Sequence, residues 1–286
     1  RTDLTEDEKR EFIVKDNANW GSEWDDEILQ EWDVDREEWG IDFPNFDEKK
    51  KEVEEDNYEE SENVETDIQY GDMFQIGNHY FLCGDATKKE DCEKLLQGNK
   101  ADMIFTDPPY DLEDHYSKNI FDSAKEDSHI FIMNSNRLLI DIVNSGISYF
   151  RRFFAVDFRQ PHLVSNNVPM DRVDLIAEFC KGKTKFNNLH DGFSTLIECA
   201  KIHNDNDKIN FGHKQAKKIE LPSTFIQHYS NMNEIVVDFF GGSGSTMAAC
   251  EQLNRVCFMM ELEPKNCQII LDRMKKCYNL KANKLN

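Results

Sequence analysis

The sequence lacks the features that mark membrane-spanning and disulfide-bonded proteins. No run approaches the roughly 18 consecutive apolar residues of a membrane-spanning helix, and no basic segment followed by an apolar one opens the chain. The eight cysteines include no C-x-x-C pair, and no histidine spacing matches a structural zinc site. We therefore expect a soluble, cytoplasmic protein with no membrane partner and no metal site.

The sequence also lacks an excess of basic residues, since its net charge is −22. The acidic residues are unevenly distributed. Residues 1–69 hold 8 Lys or Arg against 27 Asp or Glu, which leaves 26 against 29 for residues 70–286. Within that remainder, residues 151–218 hold 12 basic residues against 8 acidic ones. Such a segment can neutralise phosphates even in an acidic chain, although this charge alone is more typical of a solvated polar surface.

The distribution of tryptophan and charge predicts a domain boundary. All four tryptophans lie between Trp20 and Trp39, among acidic residues, and are expected to anchor a small docked unit. Residues 47–67 have almost no apolar content, so they are predicted to form a flexible charged linker. The boundary separates an acidic extension and linker, residues 1–69, from a main domain, residues 70–286.

In the main domain, continuous apolar runs alternate with helical patterns. Apolar strands separated by helices indicate an α/β fold with a mostly parallel sheet covered on both faces. The predicted strands are residues 80–83, 103–106, 129–133, 153–158, 173–179, 235–239 and 256–261. The predicted helices are residues 89–97, 136–145, 221–230, 245–253 and 264–277.

One predicted strand runs into a short proline-containing loop, IFTDPPYD, residues 104–111. An ordinary proline turn is one interpretation of this loop. The other follows from the chemistry of methylating an exocyclic amine, which is a poor nucleophile because its lone pair is delocalised into the ring. Hydrogen bonds from the amine to the Asp107 carboxylate and the Pro108 carbonyl would aim that lone pair at a methyl group.

The remaining residues of the tetrad fit the same chemistry. Pro108 and Pro109 stiffen the loop and remove two amide donors that would compete for the carboxylate. Tyr110 would stack on a base flipped out of a duplex, which contributes roughly 1 to 3 kcal/mol against an unstacking cost of a few kcal/mol. The candidate catalytic residues are therefore Asp107, Pro108, Pro109 and Tyr110.

A second candidate functional loop lies in IVVDFFGGSGSTMAACEQL, residues 235–253. Its glycines permit positive φ and close backbone approach to a ligand above a helix N-terminus. Because no lysine follows the last glycine, the loop is not a phosphate P-loop, but other nucleotides remain alternatives to S-adenosyl-L-methionine (AdoMet). Glu261 ends the next strand about 20 residues later, where an acid can accept the ribose hydroxyls.

With these motifs, residues 70–286 resemble the β class of amino DNA methyltransferases. DPPY is similar to that family's catalytic tetrad, and Phe240, Gly242 and Gly244 are similar to its F-x-G-x-G AdoMet motif. The catalytic loop precedes the AdoMet loop, which is the order of the β class. Glu261 is similar to the family's ribose-binding acid.

Two further segments extend the resemblance. GDAT, residues 84–87, is similar to the family's G-D element and places Asp85 near the adenine of AdoMet. HKQAKKIEL, residues 213–221, is similar to the family's H-x-x-K-P-x-x-L segment. The resemblance assigns the family's lysine to Lys217, while Lys218 stands where proline is usual. Phe239 is a second departure, since D-P-F is common there.

The resemblance implies a Rossmann-like, seven-stranded, mostly parallel sheet of the class I AdoMet methyltransferases, circularly permuted, with an acidic N-terminal extension here. AdoMet is the implied cofactor. The candidate cofactor-binding residues are Asp85, Asp107, Asp238, Phe240, Gly241, Gly242, Ser243, Gly244, Ser245, Glu261 and Lys217.

The implied activity is site-specific methylation of N6 of a flipped-out adenine in double-stranded DNA, as in restriction-modification systems. N4 of cytosine is the alternative, although cytosine enzymes more often carry Ser in place of Asp107. RNA or protein-glutamine methylation is a weaker alternative, because glutamine enzymes usually show Asn there. A catalytically silent subunit that binds AdoMet or DNA is a further alternative, against which the intact DPPY argues.

The resemblance also suggests further domains and partners. Residues 159–212 would hold a short target-recognition region, so recognition is modest or shared with a second subunit or a second copy in a homodimer. Residues 111–127 would form a polar loop that either closes over the base or is a mobile surface loop. Residues 1–45 look like the tail of a ParB-like domain found in phage and mobile-element enzymes, which makes Arg1 a truncation point. We expect residues 1–69 to lie outside the catalytic machinery and to oppose DNA binding by charge repulsion.

Overall fold

The computed structural model describes residues 50–56, 58, 64–109, 112, 116–134, 136–162, 171–183, 185–187, 189, 192–198 and 219–285. All of them except Lys50, Asn187 and Leu189 belong to one compact unit. The tryptophan segment, Tyr110 and Lys217 lie outside the described residues, as does much of the predicted target-recognition region.

A single mixed sheet forms the centre of the unit. Its strands are β1 (Met73–Ile76), β2 (His79–Cys83), β3 (Ala101–Thr106), β4 (Ala124–Asn134), β5 (Phe150–His162), β6 (Asp171–Lys181), β7 (Leu196–Glu198), β8 (Ile235–Asp238), β9 (Val256–Glu261) and β10 (Ala282–Lys284). Their spatial order is β10-β1-β2-β9-β8-β3-β4-β6-β5-β7. Five strands that are adjacent in this order, β2, β9, β8, β3 and β4, run parallel to one another. The antiparallel pairs are formed by β1 with β10 and β2, and by β6 with β4 and β5.

Within the described residues the sheet already has ten strands, so the prediction of a seven-stranded sheet is wrong in number. All seven predicted segments form strands, and the additional ones are β1, β7 and β10. These three are short, and they lie at the two ends of the strand order. In β10 all three residues are exposed, so no apolar pattern marks it, and it joins the sheet only by pairing with β1. Hydropathy cannot reveal an exposed strand such as β10.

Six helices connect the strands within the described residues. They are α1 (Lys89–Leu96), α2 (Ser117–Ser123), α3 (Asn136–Ser145), α4 (Glu220–Tyr229), α5 (Ser245–Leu253) and α6 (Pro264–Tyr278). The five predicted helices are confirmed, and α6 begins with proline at a first-turn position, where its missing N–H costs nothing. The loop predicted for residues 111–127 is wrong from residue 117 onward, because α2 and the start of β4 occupy that stretch. In α2, Ile120 and Phe121 are buried.

Successive residues of the central strands pack on opposite faces of the sheet. In β3, Met103 and Phe105 join the core that contains side chains of α4, α5 and α6, while Ile104 joins the core that contains those of α1, α2 and α3. None of the three is more than 4% exposed. Burial of each such side chain contributes about 1.5 to 3 kcal/mol. The continuous apolar runs in the sequence therefore reflect a sheet covered on both faces, as predicted.

Part of the predicted charged linker, residues 47–67, is bound to the main domain. Residues 51–56 and 58, which we call the strap, hydrogen-bond to side chains of α4, α5 and α6. Val53 packs against the core on the same face. The prediction of a flexible linker over residues 47–67 is therefore wrong for the strap, because composition does not reveal hydrogen bonds between its backbone and distant side chains or one buried ion pair. In the part of the chain that the structure describes, no helix is long and apolar enough to span a membrane.

Candidate active site

The predicted chemical loops lie at one edge of the parallel sheet. Asp107 follows β3, and β3 pairs with β8, which runs into residues 239–244, here called the glycine loop. Glu261 ends β9, which pairs with β8 on its other side. Asp85 follows β2, whose last residue Cys83 pairs with Glu261. Because the carboxyl ends of parallel strands meet at the same edge, residues that are far apart in the sequence form one site.

Buried hydrogen bonds connect the ends of β3 and β8. The Thr106 hydroxyl donates to Asp238 Oδ1 at 2.8 Å and accepts from the Phe239 N–H at 3.2 Å. Asp238 Oδ2 accepts from the Thr246 hydroxyl at 2.7 Å, and Oδ1 also accepts from the Phe240 N–H at 3.1 Å. The carboxylate thus fixes the residue before Asp107, the start of the glycine loop and the first turn of α5 relative to one another.

Asp238 was expected to contact the cofactor, and the structure gives it a different set of partners. The residue is only 4% exposed, and both carboxylate oxygens accept hydrogen bonds from the protein. Burial raises the pKa of Asp238 to about 6, and the charge of Asp107 acts in the same direction, although the bonds from Thr246, Phe240 and Thr106 oppose the shift. Its geometry supports a role in shaping the site.

The glycine loop needs residues without a side chain for two different reasons. Gly242 and Gly244 have φ of +52° and +84°, the left-handed region that favours glycine. At Gly241, an added Cβ would lie 2.8 Å from the Met259 side chain, so the loop packs directly on the sheet. At Gly242, an added Cβ would meet no atom within 4 Å. Gly242 therefore presents its backbone to open space.

Glu261 is bonded to the glycine loop. Its Oε2 accepts from the Gly242 N–H at 2.9 Å. Its Oε1 accepts from the Glu263 N–H at 3.0 Å and from the Asn266 amide at 3.1 Å. A carboxylate offers roughly four lone-pair sites, so about one remains for a ligand hydroxyl unless a present donor moves. Acceptance of both ribose hydroxyls, as expected from the sequence, requires such a movement.

The Asp107 loop, residues 107–109, is held from the neighbouring strand. Asn134, the last residue of β4, is 1% exposed and donates from its amide to the Pro108 carbonyl at 3.2 Å. Pro108 is buried and Pro109 is exposed. A carbonyl oxygen has two lone pairs, so the bond from Asn134 orients the Pro108 oxygen and leaves it able to accept a second donor.

Further contacts bring the remaining segments to this edge. Asp85 Oδ1 accepts from the backbone N–H of Thr87 at 3.0 Å and from its hydroxyl at 2.7 Å, which fixes the turn after β2. Asn119 of α2 donates to the Ala86 carbonyl at 3.0 Å. The ring of Tyr116 contacts Phe240 edge-on, with 5.2 Å between centroids. The missed helix α2 therefore braces the G-D turn, and the residue before it braces the glycine loop.

The structure groups most of the predicted site residues. Those at this edge of the sheet are Asp85, Asp107, Pro108, Pro109, Asp238, Phe240, Gly241, Gly242, Ser243, Gly244, Ser245 and Glu261. Tyr110 and Lys217 lie outside the described residues, so their places in the site stay predictions. The sequence interpretation missed Thr106, Asn134 and Thr246. A polar residue that closes an apolar strand is the signal that would have identified Thr106 and Asn134.

Comparisons with known proteins show similarity to DNA methyltransferases. Residues 168–272, which contain the glycine loop and Glu261, match the family described as DNA methylase, of the N6/N4 type. The Type II methyltransferase M.BamHI from Bacillus amyloliquefaciens is 25% identical over 238 residues, covering 65% of this chain. The match spans 56% of the length of that protein.

Solved structures share the fold. The M1.HpyAVI–SAM complex superposes with a TM-score of 0.56 at 23% identity, covering 68% of this chain and 98% of that one. The PvuII DNA methyltransferase, described as cytosine-N4-specific, superposes with a TM-score of 0.54 at 17% identity, covering 74% and 95%. The mixed α/β sheet is therefore a methyltransferase-type fold. Among the described residues, no group of three or more His, Cys, Asp or Glu suits a metal ion.

The raised pKa of Asp238 predicts a pH dependence of stability. A carboxyl group whose pKa rises from 3.8 to about 6 on folding binds a proton more tightly in the native state, so its contribution is lost as pH rises through that interval. Asp238→Asn has no such titration, and its amide can keep the bonds to Thr106 and Thr246. Urea unfolding of both proteins should show the wild type losing about 2 to 3 kcal/mol relative to the variant between about pH 4 and pH 7. Parallel pH profiles would contradict this.

Proposed function

We propose that the chain is an AdoMet-dependent DNA methyltransferase that methylates N6 of an adenine flipped out of the duplex. The observation that carries the proposal is the bonded junction of the two loops. Thr106 precedes Asp107 directly, and its hydroxyl bonds to Asp238 and to the N–H of Phe239. The match of residues 168–272 to the N6/N4 DNA methylase family supports the same activity.

The residues around the glycine loop fit AdoMet. A Cβ at Gly242 would meet no atom within 4 Å, and the Gly242 N–H bonds to the Glu261 carboxylate, so a ligand can approach this backbone closely. Glu261 would accept a ribose hydroxyl, and Asp85, on the neighbouring strand end, would face the adenine. AdoMet supplies an activated methyl group when bound. One of the similar structures is described as a SAM complex, which supports this choice of cofactor.

The Asp107 loop provides the acceptors that amine methylation requires. The Asp107 carboxylate and the Pro108 carbonyl would each accept one N–H of the target amine, so the nitrogen lone pair points away from both. Asn134 fixes the direction of the Pro108 carbonyl from β4, and the rigid junction with Asp238 fixes the start of the loop. Preorganised acceptors of this kind lower the barrier without reorganisation during the reaction.

Adenine is the preferred target because an aspartate begins the tetrad. N4 of cytosine is the alternative, since the same two acceptors serve either amine. The fold is similar to that of the PvuII enzyme, which is described as cytosine-N4-specific, and this supports N4 of cytosine as the alternative target. Direct identification of the methylated nucleoside separates the two.

Several parts of the proposal concern the wider protein. The order of Asp107 loop before glycine loop supports a circularly permuted arrangement of the β class. Residues 159–212 are proposed to carry target recognition, with double-stranded DNA as the partner and a second subunit or copy sharing it. Residues 1–45 are proposed to be the tail of a ParB-like domain. Restriction-modification is the proposed setting, and M.BamHI is described as a Type II methyltransferase.

The activity is tested by mass spectrometry of nucleosides from complex, unmethylated DNA incubated with methyl-labelled AdoMet. The wild type should produce labelled N6-methyladenine. Asp107→Ala should reduce the yield per enzyme by about two to three orders of magnitude, because it removes one of the two acceptors. AdoMet binding, measured by calorimetry, should change little.

An exposed aspartate in α2 provides the control for that test. Asp122→Ala removes the same charge outside the site and should leave the yield unchanged. Labelled N4-methylcytosine in place of N6-methyladenine would establish the alternative target. Normal yield from Asp107→Ala, or no methylated nucleoside from the wild type, would contradict the proposal.

Two glycines with matched backbones test the cofactor site. Gly242 and Gly98 both have positive φ, and an added Cβ meets no atom at either position. Alanine therefore imposes a similar strain of about 1 to 2 kcal/mol at both. Only Gly242→Ala should also weaken AdoMet binding, roughly tenfold to a hundredfold, through overpacking against the ligand. Gly98 lies before the amino end of β3, remote from the site, so its variant should bind normally. Equal affinities would assign the glycine loop another role.

A further inference from the structure

The strap is attached to three helices by specific bonds. The Lys51 N–H donates to Gln227 of α4 at 2.7 Å. Gln252 of α5 pairs with the strap backbone in both directions, accepting from the Glu54 N–H at 2.9 Å and donating to the Glu54 carbonyl at 2.8 Å. The strap therefore follows one defined path across this face of the domain.

The end of the strap is held by a buried ion pair. Arg273 of α6 donates from Nε and Nη2 to the two oxygens of Asp56, at 2.7 and 2.9 Å. Both side chains are 6% exposed. The Tyr278 hydroxyl donates to Asp56 Oδ2 at 3.2 Å, and the Tyr58 ring lies 5.9 Å from the Arg273 guanidinium. Loss of one partner from such a pair leaves a buried charge uncompensated, which is strongly destabilising.

The same arginine reaches the glycine loop. Arg273 Nη1 donates to the Ser243 carbonyl at 3.0 Å. Ser243 lies between the two glycines with positive φ, so this bond holds the middle of the glycine loop. The guanidinium is planar and its donors have fixed relative directions, so a shift at Asp56 changes the direction of the bond to Ser243. One residue thus links the strap to the loop.

The side chains facing Asp56 keep it charged. Burial alone would raise the pKa of Asp56, but hydrogen bonds and the positive charge of Arg273, with bonds from Tyr58 and Tyr278, hold the pKa below its ordinary value. The link to Arg273 is therefore intact at neutral pH.

We infer that the strap sets the position of the glycine loop through Arg273, and that Asp56 is a positioning residue for cofactor binding. This inference rests on the proposed function, since it takes AdoMet as the ligand of the loop. It differs from the expectation that residues before Tyr70 have no part in the catalytic machinery. A change in the path of the strap would reach the cofactor site through one buried ion pair.

Calorimetry on the full chain tests the inference with two strap variants. Asp56→Asn keeps one acceptor but removes the charge, and we expect AdoMet affinity to fall about tenfold. Val53→Ala weakens the packing of the strap on the core and leaves the bonds of Arg273 in place. It should lower the melting temperature without changing AdoMet affinity. Asp56→Glu, which restores the charge, should recover part of the lost affinity.

Hydrogen exchange on the wild-type chain tests the reciprocal effect without any substitution. Coupling between two sites is mutual, so saturating AdoMet must stabilise the strap. The amide of Tyr58, which donates to Asp56 Oδ1 at 3.2 Å, should exchange several-fold more slowly. The amide of Gln69, which donates to the Asp72 carboxylate at 2.9 Å, is the matched control and should be unaffected.

The outcomes separate this inference from the proposed function. If the wild type does not bind AdoMet, the proposed cofactor is wrong. If the wild type binds AdoMet but Asp56→Asn binds equally well, the inference fails and the proposed function stands. If Asp56→Asn does not fold, exchange at Tyr58 decides, and an unchanged rate at saturating AdoMet overturns the inference. Equal losses of affinity in Val53→Ala and Asp56→Asn would reduce the role of Asp56 to general stability.

Discussion

The hydrogen bonds that join Thr106, Asp238 and Thr246 are the constraint on which the rest of the site depends. They tie the ends of β3 and β8 together at the place where the Asp107 loop and the glycine loop begin. Burying a carboxylate at this point is unfavourable, as the raised pKa of Asp238 shows. The hydroxyls of Thr106 and Thr246 and the Phe240 N–H offset that penalty. Their bonds to Asp238 also fix the separation between the Asp107 loop and the glycine loop. Positioning catalysis of the kind proposed requires this rigidity.

Around that junction, each segment of the site is held by a neighbour that is distant in the sequence. The Pro108 carbonyl is oriented from β4 by Asn134, and Gly242 is bonded by Glu261 at the end of β9. Arg273 of α6 donates to the Ser243 carbonyl of the glycine loop and also to Asp56 of the strap. The glycine loop is therefore constrained from β8, β9 and α6 at once. A loop with two left-handed glycines can take many conformations, and these bonds select one of them.

The elements with strong apolar patterns could be predicted from the sequence. All seven predicted strands exist, and the five predicted helices are five of the six in the described residues, because each contributes several side chains to a core. The missed elements are either short or held mainly by polar bonds. Strand β1 and helix α2 bury apolar side chains but have only four and seven residues. Strand β10 has no buried residue, and the strap is highly charged yet is fixed by Asp56 and Gln252. Composition describes average solvation, and it does not register one ion pair formed across 217 positions of the chain.

The placement of Asp107 and Gly242 at neighbouring strand ends could be predicted from motifs, while the roles assigned to them stay predictions. The bonds that hold a residue among its neighbours could not be predicted. Asp238 is an example, since only the structure gives its partners. The central claim is that the Asp107 loop and the glycine loop form one site, and a crystal structure with AdoMet tests it most directly. The account predicts a ribose hydroxyl within about 2.6 to 3.2 Å of the Glu261 carboxylate and the methyl group directed toward Asp107. AdoMet bound elsewhere, or with its methyl group directed away from Asp107, would contradict it.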